Sequence, residues 1–178
     1  MTAWAALGAS AEGYDPTRDA ISRLAALGAP TRPAMTAGLA ALGAGMALYG
    51  LALRPDPWWP LPVANGLTAL AVAVLPLGGS VDTAHGVAAT IGYATLAAVP
   101  VVVGRHLRPA WARLSLAAGA VSALCLLASA LVARDGLFQR AGLTVAHLWV
   151  VVSALGLVRS PRSSSTTRPA QARAGRRR

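Results

Sequence analysis

From Ala34 onward the chain is a succession of long apolar runs separated by short polar or proline-bearing stretches. A helix needs about twenty apolar residues to cross the hydrocarbon of a bilayer. Five runs meet or approach that length, at residues 34–53, 58–77, 86–104, 114–132 and 141–158. The pattern predicts an all-α polytopic membrane protein with a five-helix transmembrane bundle over residues 34–158. In the first run Gly38 and Gly45, and separately Gly43 and Gly50, are spaced so that each pair shares a helix face and lets a neighbouring backbone come close. In the fourth, Ser115, Ser122 and Ser129 recur at the same interval with Ala118 and Cys125 between them, a small-residue packing seam. Asn65 in the second run is an amide at depth and is expected to hydrogen-bond to an adjacent helix.

Ahead of the runs the pattern changes. In YDPTRDAISRLAALGAP, Tyr14 to Pro30, acids, bases and apolar residues are interleaved at helical spacing. Asp15 has the side chain of an N-cap and Pro16 suits a first helical position, where a missing N–H costs nothing. Ile21, Leu24 and Leu27 lie on one side, and Asp19 stands four residues before Arg23, the favourable order for an ion pair. Gly28 offers a left-handed C-cap and Pro30 prevents continuation. Residues 14–33 are therefore expected to hold a short capped amphipathic helix lying in the membrane interface with its apolar side down. Residues 1–13 are expected to be an extracytoplasmic stub or the remnant of a first span. Residues 159–178, rich in Ser, Thr, Pro and Arg, read as a disordered basic tail.

Composition strengthens the membrane reading and removes one alternative. Hydrophobic residues make up 55% of the chain, mean hydropathy is +0.54 and charged residues are 12%, against roughly 25% in soluble domains. All sixteen basic residues are arginine, and they fall outside the apolar runs. The net charge of +10 thus reads as topology rather than nucleic-acid binding, for which no basic or aromatic face of a soluble unit is visible. With the tail in the cytoplasm, eleven arginines lie inside against Arg18, Arg23, Arg32, Arg134 and Arg140 outside, as the positive-inside rule requires. The expected location is the cell membrane, with a cytoplasmic C-terminus and the tail against anionic lipid. The single cysteine, Cys125, excludes an internal disulfide framework.

That orientation gathers the remaining polar residues at the outer face. Asp82 and His85 are three apart at the start of the third span, and Arg140, Thr144 and His147 descend one side of the fifth. A charge at membrane depth costs about 2.5–3.5 kcal/mol, so such groups face a protein interior or a cavity. An outer-facing polar pocket is expected from Asp15, Arg18, Asp19, Arg23, Asp82, His85, Arg140 and His147. It would bind a lipid, a small ligand or a partner protein without a cofactor, or simply order the outer helix ends by hydrogen bonds and ion pairs. Two other classes stand beside this. One is a membrane-embedded enzyme using His85 and Asp82, with or without a metal held by His85, His147 and Asp82, residue types that suit zinc or iron. The other is a transporter, for which acidic residues inside the spans are lacking.

YDPTRDAISRLAALGAP, the DTAHG that opens the third span and GLFQRAGLTVAHLW in the fifth resemble the bacterial integral membrane family known as domain of unknown function 998. The resemblance covers about Tyr14 to Leu157 and falls on Asp15, Arg18, Asp19, Ile21, Ser22, His85, Gly136, Arg140 and Trp149. It implies six spans, with the YDP element directly after a first span that this chain largely lacks. It implies no activity, substrate or cofactor.

Overall fold

The computed structural model describes residues 2–54, 56–132 and 135–159. Its elements are α1 (Thr2–Ser10), a 3-10 helix (Ile21–Ala25), α2 (Arg32–Ala52), α3 (Pro60–Val74), α4 (Asp82–Gly104), α5 (Pro109–Leu131) and α6 (Asp135–Arg159). Four of these, α2, α4, α5 and α6, are long and apolar enough to cross a membrane, and α3 is a shorter apolar helix. The chain is a helical multi-pass membrane protein.

The helix ends differ from the ends of the apolar runs, for identifiable reasons. Helix α3 stops at Val74 instead of reaching Leu77, because Pro76 disfavours helical backbone at the residue before it. Helices α4, α5 and α6 all begin before their apolar runs do. Asp82 is drawn into α4 because its carboxylate accepts the Gly78 and Gly79 N–H groups at 2.8 and 3.1 Å. Pro109 starts α5 where a missing N–H is harmless.

The core lies where α2, α4 and α6 meet. Met46, Tyr49 and Leu53 pack there against Leu96, Val99 and Val103 and against Ala146, Trp149 and Val150. The Tyr49 hydroxyl lies 2.9 Å from Ser153 Oγ, joining α2 to α6. Helix α3 fills the groove between α2 and α4, and α5 that between α4 and α6. Leu48, Leu67, Leu124, Leu127 and Leu131 stay exposed on the outside of the bundle, where a membrane would cover them.

Small residues set the closest approaches. A Cβ added to Gly43 would lie 2.7 Å from the Gly66 carbonyl oxygen, and one added to Gly66 2.5 Å from that of Gly43. Helices α2 and α3 therefore touch backbone to backbone along the Gly43 and Gly50 face, whereas Gly45 looks into open space. Asn65 donates to the Gly92 carbonyl at 2.7 Å and to Thr95 Oγ1 at 3.1 Å, the expected bond to a neighbouring helix. The serine seam is equally plain: Ser122 Oγ donates to the Gly142 carbonyl at 2.9 Å, and Ser115 Oγ accepts the Trp149 indole N–H at 2.8 Å.

The segment expected to be an amphipathic α-helix is something else. Residues 15–19 form turns, and helical structure is limited to the five-residue 3-10 helix. Side chains intercept the groups that an α-helix would pair. Asp15 Oδ1 takes the Thr17 N–H at 2.8 Å, and Asp19 Oδ2 takes the Asp15 N–H at 2.8 Å. Nor is its apolar side laid on lipid: Ile21, Leu24 and Ala25 are buried with Met35, under Trp4, Leu7 and Tyr14, and only Leu27 of the three expected apolar positions stays exposed. With α1 it forms a cap over one end of the bundle. Gly28 does adopt the left-handed backbone expected of it, at φ +81°. The tail, residues 160–178, and Arg134 lie outside the described residues.

Candidate functional site

Arg140 is one of two α6 side chains, with Gln139, that hold the cap. Arg140 is only 8% exposed, and its Nη1 donates to the carbonyls of Pro16 at 2.6 Å, Asp19 at 2.9 Å and Gly136 at 2.9 Å. Its Nη2 donates to the Tyr14 hydroxyl, and the guanidinium lies 5.4 Å from the ring centres of both Trp4 and Tyr14. Backbone oxygens and aromatic faces compensate the buried charge in place of a carboxylate. The loop rests directly on the start of α6, since a Cβ on Gly136 would stand 2.5 Å from the Asp19 carbonyl oxygen. The Leu137 N–H, one of the free donors of that helix end, is satisfied by the Thr17 carbonyl at 3.0 Å.

Two titrating groups of this loop are displaced. Burial pushes the Tyr14 phenol above the ordinary tyrosine range, although the Arg140 guanidinium opposes the shift. The hydroxyl and N–H of Thr17 hold the Asp15 carboxyl below the usual range.

Beneath and beside the cap are two cavities. A groove of about 840 Å³ runs between α4 and α5, within the roughly 300–1,000 Å³ usual for ligand pockets. Its shape follows from helix splay. The close approaches of α4 and α5, Gly104 to Ser115 and Gly119 to Ala97, lie in the half remote from the cap. Nearer the cap α5 leans instead on α6, where a Cβ on Gly142 would stand 3.0 Å from the Ser122 carbonyl oxygen. Alanines on both walls, among them Ala94, Ala98, Ala120 and Ala123, leave the wedge unfilled. From His85 to Val102 the groove follows α4 for about 26 Å at 1.5 Å per residue. Its deep part is apolar, whereas its mouth, under the cap, is lined by Ser22, His85, Tyr93, Gln139 and Asp135.

Behind the mouth lies a cavity of about 100 Å³, bounded by Asn65, Thr68, His147 and apolar residues of α2, α3 and α6. Ser22, His85, Tyr93 and Gln139 border both spaces. Gln139 Oε1 accepts the Ile21 N–H at 2.7 Å, and its Nε2 donates to the Tyr93 hydroxyl. His85 Nδ1 is 2.5 Å from the Leu75 carbonyl oxygen. A carbonyl only accepts, so Nδ1 carries a proton and donates to it.

Of the eight residues picked out in the sequence, His85 lines the groove and His147 the cavity behind it. Arg140 is the cap's anchor. Asp15 and Asp19 fold the loop and pair with Arg18 at 3.7 Å and Arg23 at 2.9 Å on its surface. Asp82 is engaged with the Gly78 and Gly79 N–H groups, so it and His85 do not form an acid–base pair. Among the described residues, no three of His, Cys, Asp and Glu converge. Gln139 and Tyr93 went unnoticed in the sequence, and a glutamine beside an arginine at a helix start carries little signal. Two of the residues marked by the family resemblance, Ser22 and His85, border the groove, and Gly136, Asp19 and Arg140 meet at one contact.

Fold and site together define a multi-pass helical membrane protein, one end of its bundle capped by an arginine-anchored loop above a polar-mouthed groove. The chain belongs to the family described as Protein of unknown function (DUF998), whose model matches residues 1–156 and thus includes α1 as well as the cap and the bundle. No curated protein and no solved structure matches it.

Proposed function

We propose that the protein binds a membrane amphiphile, its hydrocarbon chain in the groove between α4 and α5 and its polar head at the mouth under the cap. The observation that carries this is the groove's gradient: apolar and alanine-lined along α4 and α5, then Ser22, His85, Tyr93 and Gln139 at the end nearest the cap. The groove's run along α4, about 26 Å, exceeds the hydrocarbon of one leaflet, roughly 15 Å, half of the ~30 Å core. An extended chain fits such a slot, and the alanine walls spare it the entropic cost of displacing large side chains. His147 belongs to the polar cavity behind the mouth, and Arg140, Asp15, Arg18, Asp19 and Arg23 hold the cap that covers it. In this reading the cell membrane is the protein's location, the cap faces outward, the C-terminus is cytoplasmic and the arginine-rich tail lies against anionic lipid.

Native mass spectrometry of the protein released from nanodiscs tests the binding. A discrete bound lipid species is expected, and it should disappear in Ala94→Phe and Ala123→Phe, which fill the groove. A protein free of bound lipid, or one whose bound lipid is unchanged in both folded variants, would sink the proposal. A reporter fused to the C-terminus that is active only outside the cytoplasm would reverse the orientation.

A further inference from the structure

We infer that the end of the bundle remote from the cap docks on anionic phospholipid, independently of the groove. The turn from α4 into α5 lies at that end and carries three exposed arginines, Arg105, Arg108 and Arg113. Arg54 is there too, its guanidinium 3.9 Å from the ring centre of Trp59. Of the six acids in the sequence, Glu12, Asp15, Asp19, Asp82 and Asp135 belong to the capped end, and Asp56 alone shares this end with the four arginines. No Asp or Glu stands at any other position of the chain, so the surplus of positive charge is fixed by the sequence itself. What lies between the arginines points to a membrane as the partner. Leu107 and Trp111 are 41% and 45% exposed, and Trp111 leads into Leu114 and Val121, exposed on the outside of α5 where lipid would cover the bundle. A tryptophan at head-group depth sets its neighbours level with the phosphates, which a guanidinium binds through two N–H groups at once. The turn is also held ready. The His106 ring stacks on Trp58 with centroids 3.7 Å apart and planes 10° from parallel, and Arg105 Nε donates to the Val101 carbonyl at 3.3 Å. A surface ordered in advance gives up less freedom on binding.

The test uses the full chain in nanodiscs, with the photocrosslinker p-benzoylphenylalanine in place of Trp111, which does not line the groove. The lipid is an equimolar mixture of phosphatidylglycerol and phosphatidylcholine with identical chains, and the adducts are counted by mass spectrometry. Phosphatidylglycerol adducts should be roughly fivefold the more abundant, the scale of a single arginine's attraction to an anionic surface. Arg105→Gln, Arg108→Gln and Arg113→Gln combined should bring the two lipids close to parity while the arginines of the tail stay in place. Arg108→Gln alone serves if the combined variant does not fold, and should lower the ratio by a clear margin. Raising ionic strength from ~0.01 M to ~1 M, which shortens the screening length from about 30 Å to about 3 Å, should shrink the preference of the otherwise unaltered protein. Equal labelling of the two lipids at low salt, or a preference that salt leaves untouched, overturns the inference. So does a preference that survives the arginine substitutions, which would assign the attraction to the tail.

Discussion

Gln139 accepts the backbone N–H of Ile21 at 2.7 Å across 118 residues of sequence. The same side-chain amide donates to the Tyr93 hydroxyl, so one residue ties the cap, α4 and α6 together at the mouth of the groove. A buried N–H left without its partner costs about 1–3 kcal/mol. Gln139→Leu should therefore loosen the cap. Expected is faster amide hydrogen exchange at residues 20–25 with little change in α2 or α5. Gln139→Glu, which keeps the acceptor for Ile21, should protect those amides better than leucine does. Equal protection in wild type and Gln139→Leu would mean that apolar burial of Ile21 and Leu24 alone seats the cap.

Arg140 is the second fastening, and its geometry makes a specific demand. Three carbonyl oxygens meet one guanidinium nitrogen while a phenol meets another. A lysine ammonium carries its three donors on one nitrogen at the end of a thinner stem, so it cannot meet the carbonyls and the phenol from two positions. Arg140→Met is expected to destabilise the protein by on the order of 3 kcal/mol, since bonds to a charged group are worth about 1.5–3 kcal/mol each before the freed carbonyls rehydrate. Arg140→Lys should recover less than half of that. Thermal unfolding in detergent together with limited proteolysis of the 11–31 segment distinguishes a local from a global loss. Full rescue by lysine would show that charge alone, not the fork of donors, holds the loop.

The Tyr14 phenol gives the cap a dependence on high pH. Its hydroxyl lies 3.3 and 3.2 Å from the carbonyls of Asp19 and Ala20, donating, and accepts from Arg140. Burial raises its pKa in the folded protein above the ordinary value of about 10. A group with a raised folded pKa contributes fully below the unfolded value. That contribution is lost as pH climbs from about 10 through the folded pKa. The difference in phenolate absorbance between wild type and Tyr14→Phe should thus have a midpoint above pH 10. A midpoint at or below that value would contradict the buried placement of the ring.

These contacts also explain which parts of the molecule were legible in its sequence. The long apolar runs declare themselves because lipid leaves a spanning segment little choice of composition. The bond of Asn65 to a neighbouring helix follows because a polar group at depth must pair, whereas the serine seam was legible as a packing face but not in its partners Gly142 and Trp149. The YDPTRDAIS stretch misled for the opposite reason. Its spacing is helical, but Arg140 takes the carbonyls of Pro16 and Asp19, Gln139 takes the Ile21 N–H, and Asp15 and Asp19 turn back on the loop itself. Local pattern cannot register partners more than a hundred residues away. The groove was equally out of reach. It arises from where α5 leaves α4 for α6, a consequence of packing at Gly119 and Gly142, and alanines that line a space look the same in sequence as alanines that fill one.

The two glycine faces of α2 provide a paired test of the packing. Both looked alike in sequence, yet Gly43 and its partner Gly66 are in backbone contact, while an added Cβ at Gly45 would meet nothing within 4 Å. An extra methyl at a tight helix crossing forces the helices apart at a cost of about 1–3 kcal/mol. At an open helix position alanine is favoured over glycine by roughly 0.5–1 kcal/mol. Gly66→Ala should therefore lower the midpoint of thermal unfolding in detergent, whereas Gly45→Ala should leave it unchanged or raise it. Separation of α2 from α3 also pulls Asn65 off the Gly92 carbonyl, so the loss in Gly66→Ala should overlap with that of Asn65→Ala. The double variant is then less unstable than the two single losses combined. Full additivity would mean that the crossing and the hydrogen bond act independently. A destabilised Gly45→Ala would place a second helix, or another copy of the chain, on the face that is open here.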